Sequence, residues 1–395
     1  MESSFFFDIC IEIPNRMRFL LPIIVLTVVA ILPDMYISKA FLKGSSMYVR
    51  LLQWLPTVLF FISIAGLQIG GAESNWAMKL LFAVILCFML PKLFFTVVSL
   101  VGRLIHLPGV FNLAGATVGV LFLVCAAYGM SFGWKNPVVR EVDLHFENLP
   151  ESFDGYTIVQ ISDWHLGTYR PHPQTIQKEI ELANGAGADA IVFTGDIVNG
   201  SPAELEPFRE MLSTLKAKDG VFSIMGNHDY CMYGSEHTPE GIRRNIKILQ
   251  DMERSFGWNL LLNDSRLVTR GSDTLAIVGV ENSGTPPFPQ YADLCKAQSG
   301  TDGAAFKVLL SHDPTHWRRS VLPDTDIDLT LSGHTHAMQF KVFGFSPSRL
   351  AYKEWGGLYE EGQRKLYIST GSGGNVAFRF GAWPEIIKIT LHPCP

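Results

Sequence analysis

Cysteine is scarce in this chain: six in 395 residues, Cys10, Cys87, Cys125, Cys231, Cys295 and Cys394. They are scattered, with no CxxC or zinc-ribbon spacing, which excludes a disulfide framework and a dithiol redox site. Charge is also thin, at 17% Asp, Glu, Lys and Arg with a formal net charge of −5. Without a basic stretch, the composition excludes nucleic acid as the main partner. Internal repeats and low-complexity tracts are missing too, so the chain does not read as a solenoid or a linker.

What the chain has instead is length and long apolar runs. Of its 32 Lys+Arg and 37 Asp+Glu, only 8 and 5 fall in residues 1–134. Four runs there, roughly Phe19–Tyr36, Leu51–Ile69, Ala77–Leu100 and Val110–Phe132, are each about the 20 residues that cross a bilayer. A cleaved signal peptide would explain only the first. The hydropathy therefore predicts an all-α, four-helix transmembrane region over 1–134, with the lipid bilayer as a partner. An even number of spans puts the N-terminus and everything after residue 134 on one side. The positive-inside rule does not choose that side. Arg16, Arg18, Lys79, Lys135 and Arg140 balance Lys39, Lys43, Arg50, Arg103 and Lys92. Asp34 and Lys92 sit at the same membrane face, so they are expected to pair, or Lys92 to snorkel.

From residue 135 to 395 the pattern changes to short apolar runs alternating with helical stretches, which predicts an α/β domain. Helices are expected over the PQTIQKEIELANGAGAD stretch, ending near Gly185 or Gly187, and over the stretch after Thr238, a candidate N-cap. Five runs end in chemistry-bearing residues: YTIVQ leads into ISDWH, DAIVF into TGD, GVFSI into MGNHD, FKVLL into SHD, and DIDLT into LSGHTH. In open α/β sheets ligands collect beyond the carboxyl ends of strands, so five such ends can converge on one point.

Collected, the candidates are Asp163, His165, Asp196, Asn227, His228, His312, His334 and His336. Carboxylate and imidazole without thiolate suit Mn, Fe, Zn or similar ions rather than a structural zinc. In D-x-H and H-x-H both side chains project from one side of an extended segment. The set is too large for one tetrahedral ion and fits two divalent ions, an arrangement used for phosphoryl hydrolysis.

D-x-H, G-D, G-N-H-D, an isolated His and G-H-T-H, in that order, resemble the calcineurin-like metallophosphoesterase signature, over about residues 155–391. The stretches from Ser346 to Gly374 and from Arg379 to Leu391 further resemble a bacterial membrane-associated subgroup. That subgroup includes phosphodiesterases and enzymes that cleave the pyrophosphate of UDP-2,3-diacylglucosamine. The resemblance implies two packed mixed β-sheets flanked by helices. It implies one metal held by Asp163, His165, Asp196 and His336, and a second by Asp196, Asn227, His312 and His334. It also implies His228 as the non-ligand histidine that contacts the phosphate or protonates the leaving oxygen, with Asp229 orienting it, and a location in a bacterial inner membrane. Two departures stand out. Trp164 replaces an aliphatic residue, and Ala337 and Met338 replace Gly-Gly; both are expected to reshape the approach to the phosphate.

These features predict a membrane-anchored hydrolase that cleaves a phosphodiester or pyrophosphate bond, in a lipid-linked or amphipathic substrate. Alternatives are a phosphomonoesterase of the Ser/Thr-phosphatase kind, a pseudoenzyme, or a transporter or sensor with a phosphoesterase-like regulatory domain. Arg379 is a candidate for substrate phosphate or for structure, and His172 for the groove. The aromatic loop 343–359 (Phe343, Phe345, Tyr352, Trp355, Tyr359) is expected either to pack within the domain or to meet lipid.

Overall fold

A computed structural model describes residues 15–70 and 75–394, with the side chains described from residue 27 onward apart from a few beside the 71–74 gap. The chain divides into two compact units, Met1–Ala127 and Tyr128–Pro395.

The first unit is helical: α1 Asn15–Ala40, α2 Met47–Gly70, α3 Asn75–Val84, α4 Leu90–Leu104 and α5 Pro108–Tyr128. A π-helical turn, Ile85–Met89, joins α3 to α4. It lies just before Pro91, whose missing N–H frees a carbonyl that the wider turn accommodates. Among the described residues three helical runs are long and apolar enough to cross a membrane: Met47–Leu67, Trp76–Leu104 and Pro108–Gly133. The described spans thus number three rather than four. The first expected run, 19–36, falls in α1, and its side chains up to residue 26 lie outside the described residues.

Inside this unit Lys92 Nζ lies 2.6 Å from Asp34 Oδ1 and 2.7 Å from the Gln53 carbonyl, and the Thr57 hydroxyl donates to Asp34 Oδ2 at 2.5 Å. Asp34 is fully buried. Pairing and hydrogen bonding are what make a buried charge tolerable.

The second unit stacks two six-stranded mixed sheets. The first has the order β1 (Val138–Phe146), β12 (Glu385–Pro393), β2 (Tyr156–Ile161), β3 (Ala190–Phe193), β4 (Gly220–Ser223), β5 (Asn259–Leu260). The second runs β10 (Gly357–Glu361), β11 (Arg364–Ile368), β9 (Leu329–Ser332), β8 (Phe306–Leu310), β7 (Asp273–Gly279), β6 (Asp264–Arg270). Between them lies a dry core in which Ile158, Val192 and Phe222 meet Ile277, Val308, Leu310 and Leu331. The central strands are wholly buried, which is why they read as unbroken apolar runs rather than alternating ones. Helices α6 (Pro173–Gly185) and α7 (Pro239–Ser255) cover the first sheet through Ile176, Ile180, Leu249 and Met252. Thr238 caps α7 by accepting the Gly241 N–H at 3.1 Å. The parallel strands β2, β3 and β4 and the parallel strands β8 and β9 each end in one of the five motifs.

Candidate metal centre

Four of the five motif loops are joined in pairs at the backbone. The Asp163 N–H donates to the Gly195 carbonyl at 3.0 Å, the His165 N–H to Asp196 at 3.1 Å, and the Gly333 N–H to His312 at 3.0 Å. Asp163, His165, Asp196, His334 and His336 all have positive φ, between 48° and 74°. That left-handed backbone is uncommon outside glycine and costs energy, most tolerably for Asp and His. Such a concentration at one point marks a site whose geometry the surrounding fold imposes.

Two groups of side chains each bring one ligand atom apiece within 4.8 Å of the others: Asp163, His165, Asp196 and His336; and Asp196, His312 and His334. Asp196 belongs to both. Asn227 adds its Oδ1, 2.9 Å from His334 Nδ1. Gly226 is obligatory here, because a Cβ at that position would lie 2.2 Å from Asp196 Oδ1.

The donor set fits divalent cations. His165 Nε2 and His336 Nε2 face each other at 3.2 Å. His165 Nδ1, His336 Nδ1 and His312 Nε2 are buried without a hydrogen-bond partner, a state that costs about 1–3 kcal/mol per group unless something else binds it. His312 Nδ1 lies 2.7 Å from the Thr194 carbonyl. That contact places a proton on Nδ1 and aims Nε2 at Asp196 Oδ2, 3.2 Å away.

The electrostatics point the same way. Burial drives His165 down to about 3 and His334 down to about 4, so both are neutral, as ligands must be. Burial also lowers His312, but the adjacent Asp196 overrides it and raises the imidazole to about 10. Burial opposes ionisation of Asp196, yet His312 and His228 hold it well below the usual carboxylate range. Burial lifts Asp163 to about 6. The two buried carboxylates draw a proton onto His312, supplying a positive charge that a metal ion would replace.

His228 and Asp229 take separate roles. His228 Nδ1 lies 2.7 Å from the Asn199 carbonyl, which sets the tautomer and leaves Nε2 for chemistry. The Asp229 carboxylate instead accepts four backbone N–H groups, from Asp196 (2.7 Å), Gly226 (2.8 Å), Ile197 (2.9 Å) and Val198 (3.2 Å). The expectation that Asp229 orients His228 is therefore corrected. A fully buried carboxylate beside four unpaired donors binds those donors, and the imidazole turns to a carbonyl.

Three further expectations resolve here. Trp164 does not narrow the approach; it is fully buried against Phe193 and Trp258 and donates to Glu179 Oε2 at 2.5 Å. Arg379 is structural, fully buried among the Gly373, Thr370 and Ala382 carbonyls. His172 packs on Trp134, with ring centroids 5.1 Å apart, rather than in the groove. Ala337 and Met338, in place of Gly-Gly, adopt φ of 49° and 46°. They keep a conformation that glycine takes freely, at a cost of roughly 1–2 kcal/mol each.

Several participants carry no motif of their own. Asp313 is buried, with Oδ2 3.4 Å from His334 Nε2. Tyr352 OH lies 3.0 Å from the same nitrogen. Tyr233 stacks near His228, with centroids 4.4 Å apart. Glu204 accepts N–H bonds from Gly167, Asn199, Gly200 and Ser201, fixing the turn that presents the Asn199 carbonyl. Asp313, the last residue of the SHD run, and Tyr352, in the aromatic loop, carried a positional hint.

Residues 156–338 match the family model described as calcineurin-like phosphoesterase. A transmembrane protein with metallophosphoesterase domain from Danio rerio is 27% identical over 69% of this chain and 61% of its own length. An uncharacterized metallophosphoesterase of Campylobacter jejuni is 29% identical over 71% of this chain and 70% of its own. The uncharacterized metallophosphoesterase YkuE of Bacillus subtilis is 28% identical over 62% and 81% respectively. The second unit thus carries a calcineurin-like phosphoesterase domain over residues 156–338. This chain spans less than two thirds of the zebrafish relative. Its relatives are animal as well as bacterial, so the likeness reaches the family and stops short of the bacterial subgroup.

Proposed function

We propose that this protein is a membrane-anchored phosphohydrolase that cleaves a phosphodiester or pyrophosphate bond in a lipid-linked or amphipathic substrate. Two divalent ions would be held, one by Asp163, His165, Asp196 and His336, the other by Asp196, Asn227, His312 and His334. The observation that carries this reading is the pair of ligand groups meeting at Asp196. When bound, such ions stabilise charge developing at phosphorus and bring a water's pKa toward neutrality. The chain's own residues do the rest. The His334 N–H, donating to Asp163 at 3.0 Å, and the His228 N–H, donating to Asp196 at 2.8 Å, hold the carboxylates in place. His228, its Nδ1–H anchored on the Asn199 carbonyl, passes an Nε2 proton to the leaving oxygen when the ring carries both protons, and is left as the Nδ1–H tautomer. The apolar helical runs support a substrate met at the bilayer, since a single span already anchors stably.

The test is hydrolysis by the full-length, manganese-loaded protein in detergent, comparing bis(p-nitrophenyl) phosphate with p-nitrophenyl phosphate. A diester preference that depends on His228 supports the reading. A monoester preference, or full diester turnover by His228→Ala, would overturn it.

A further inference from the structure

Between β9 and β10 the chain leaves the centre in a loop whose tip is apolar and unpartnered. Phe343 is fully exposed, Leu350 is 82% exposed, and Met338 and Phe345 are nearly half exposed. From Met338 to Lys353 the charged residues are Lys341, Arg349 and Lys353, with no acidic residue among them. Of the expected aromatic set, Tyr352, Trp355 and Tyr359 are partly buried, while Phe343 and Phe345 are exposed. Exposed aromatic and aliphatic side chains interleaved with cations are the composition of a segment that sits in the headgroup layer of an anionic membrane.

The root of the loop lies against the segment Tyr128–Phe132 of the same unit. The Lys341 N–H donates to the Phe380 carbonyl at 2.8 Å, and the Phe380 N–H to the Gln339 carbonyl at 3.0 Å. The Phe340 and Phe380 rings stack at 5.9 Å. Phe380 in turn meets Tyr128 edge-on at 6.4 Å, and Trp383 meets Tyr128 at 6.1 Å. The Arg379 N–H donates to the Gly129 carbonyl at 3.3 Å. Tyr128, Gly129 and Phe132 form the end of the apolar run Pro108–Gly133. Tyr128 and Phe132 are exposed there, and Lys135 follows, its Nζ 5.8 Å from the Phe132 ring centroid. Aromatic residues followed by lysine mark the level at which a helix leaves the hydrocarbon. Phe343 is three residues beyond Phe340.

We infer that the loop 338–350 is a docking foot that inserts Phe343 and Leu350 into the bilayer interface. Its occupant is the lipid surface that the same chain's apolar helix enters. The loop also braces the centre. The Ser346 hydroxyl donates to the Ala337 carbonyl at 2.6 Å, the Thr335 hydroxyl to the Trp355 carbonyl at 2.6 Å, and Tyr352 meets His334. Docking therefore holds the metal-binding turn at the level of lipid headgroups.

The test is site-specific photocrosslinking. The full-length protein carries p-benzoylphenylalanine at position 343, at 350, or at the control position 267 on β6. Leu267 is 54% exposed and lies at the sheet edge opposite β10. Each version is reconstituted in vesicles of equimolar phosphatidylcholine and radiolabelled phosphatidylglycerol. Several-fold more lipid adduct at 343 and 350 than at 267 is expected. Equal adduct at all three positions, or protein–protein adducts in place of lipid at 343, would overturn the inference. Diester turnover measured on the same preparations in detergent tests the proposed reaction separately, so the two claims can fail independently.

Discussion

The Asn199 carbonyl lies 2.7 Å from His228 Nδ1, while the Asp229 carboxylate next in sequence is saturated by four backbone N–H groups. Adjacent residues should therefore fail differently. His228→Ala is expected to keep its metal and its unfolding temperature while turnover drops by about 10²–10⁴, the range for general acid–base catalysis. Asp229→Ala is expected to lose about 3 kcal/mol of stability, because it strands buried donors, and with it the placement of Asp196. Metal analysis and thermal unfolding, run beside the assay, separate the two.

Asp313 Oδ2, 3.4 Å from His334 Nε2 and otherwise without a hydrogen-bond partner, is placed to hold that imidazole with Nδ1 toward Asn227. Carboxylates that orient a metal-binding histidine typically contribute 10–100-fold in affinity. Asp313→Asn should weaken manganese binding at the His312–His334 group by about that factor, with His336 and Asp163 less affected. Equilibrium manganese titration reads the change directly.

A pH effect on stability follows from a buried carboxyl that is not among the ligands. Burial raises Glu253, on α7, to about 7 against the lowering influence of Ser223 and Arg254. Its ordinary value is 4.5. Between those values the unfolded chain has released the proton and the folded chain retains it, so stability falls as pH rises and levels off above about 7. The span corresponds to about 3 kcal/mol. Glu253→Gln should remove most of that decline, as denaturant unfolding at pH 5 and pH 8 would reveal.

Much of the site was legible because the chemistry sits at strand ends. Apolar runs in β2, β3, β4, β8 and β9 marked the strands, and what followed each run named Asp163, Asp196, Asn227, His312 and His334. What hid were contacts made by backbone atoms or between distant segments. The carbonyl that orients His228 belongs to Asn199, whose side-chain identity has no bearing on it. Trp164 sits inside a motif, yet the left-handed turns at Asp163 and His165 direct it into the core. Ala337 and Met338 look like a lost glycine pair, but the fold holds them in glycine's conformation. The Asp34–Lys92 pair was legible because two isolated charges at one membrane level have few other ways to be satisfied.

That pair carries its own prediction. Lys92→Met leaves Asp34 buried without its cation and should cost about 3–5 kcal/mol, as breaking a buried pair does. Adding Asp34→Leu should recover most of the loss. Thermal unfolding in detergent reads both, with hydrolysis of a soluble diester unchanged in the double variant.

The central claim is that Asp196 joins two metal groups in a hydrolytic centre. The most direct test counts metal per chain in the purified full-length protein and in Asp196→Ala, with diester turnover measured on the same samples. Two ions per chain with turnover are expected in the parent, and loss of both ions' tight binding and of turnover in the variant. Full turnover with a single ion, or turnover that survives loss of Asp196, would contradict it.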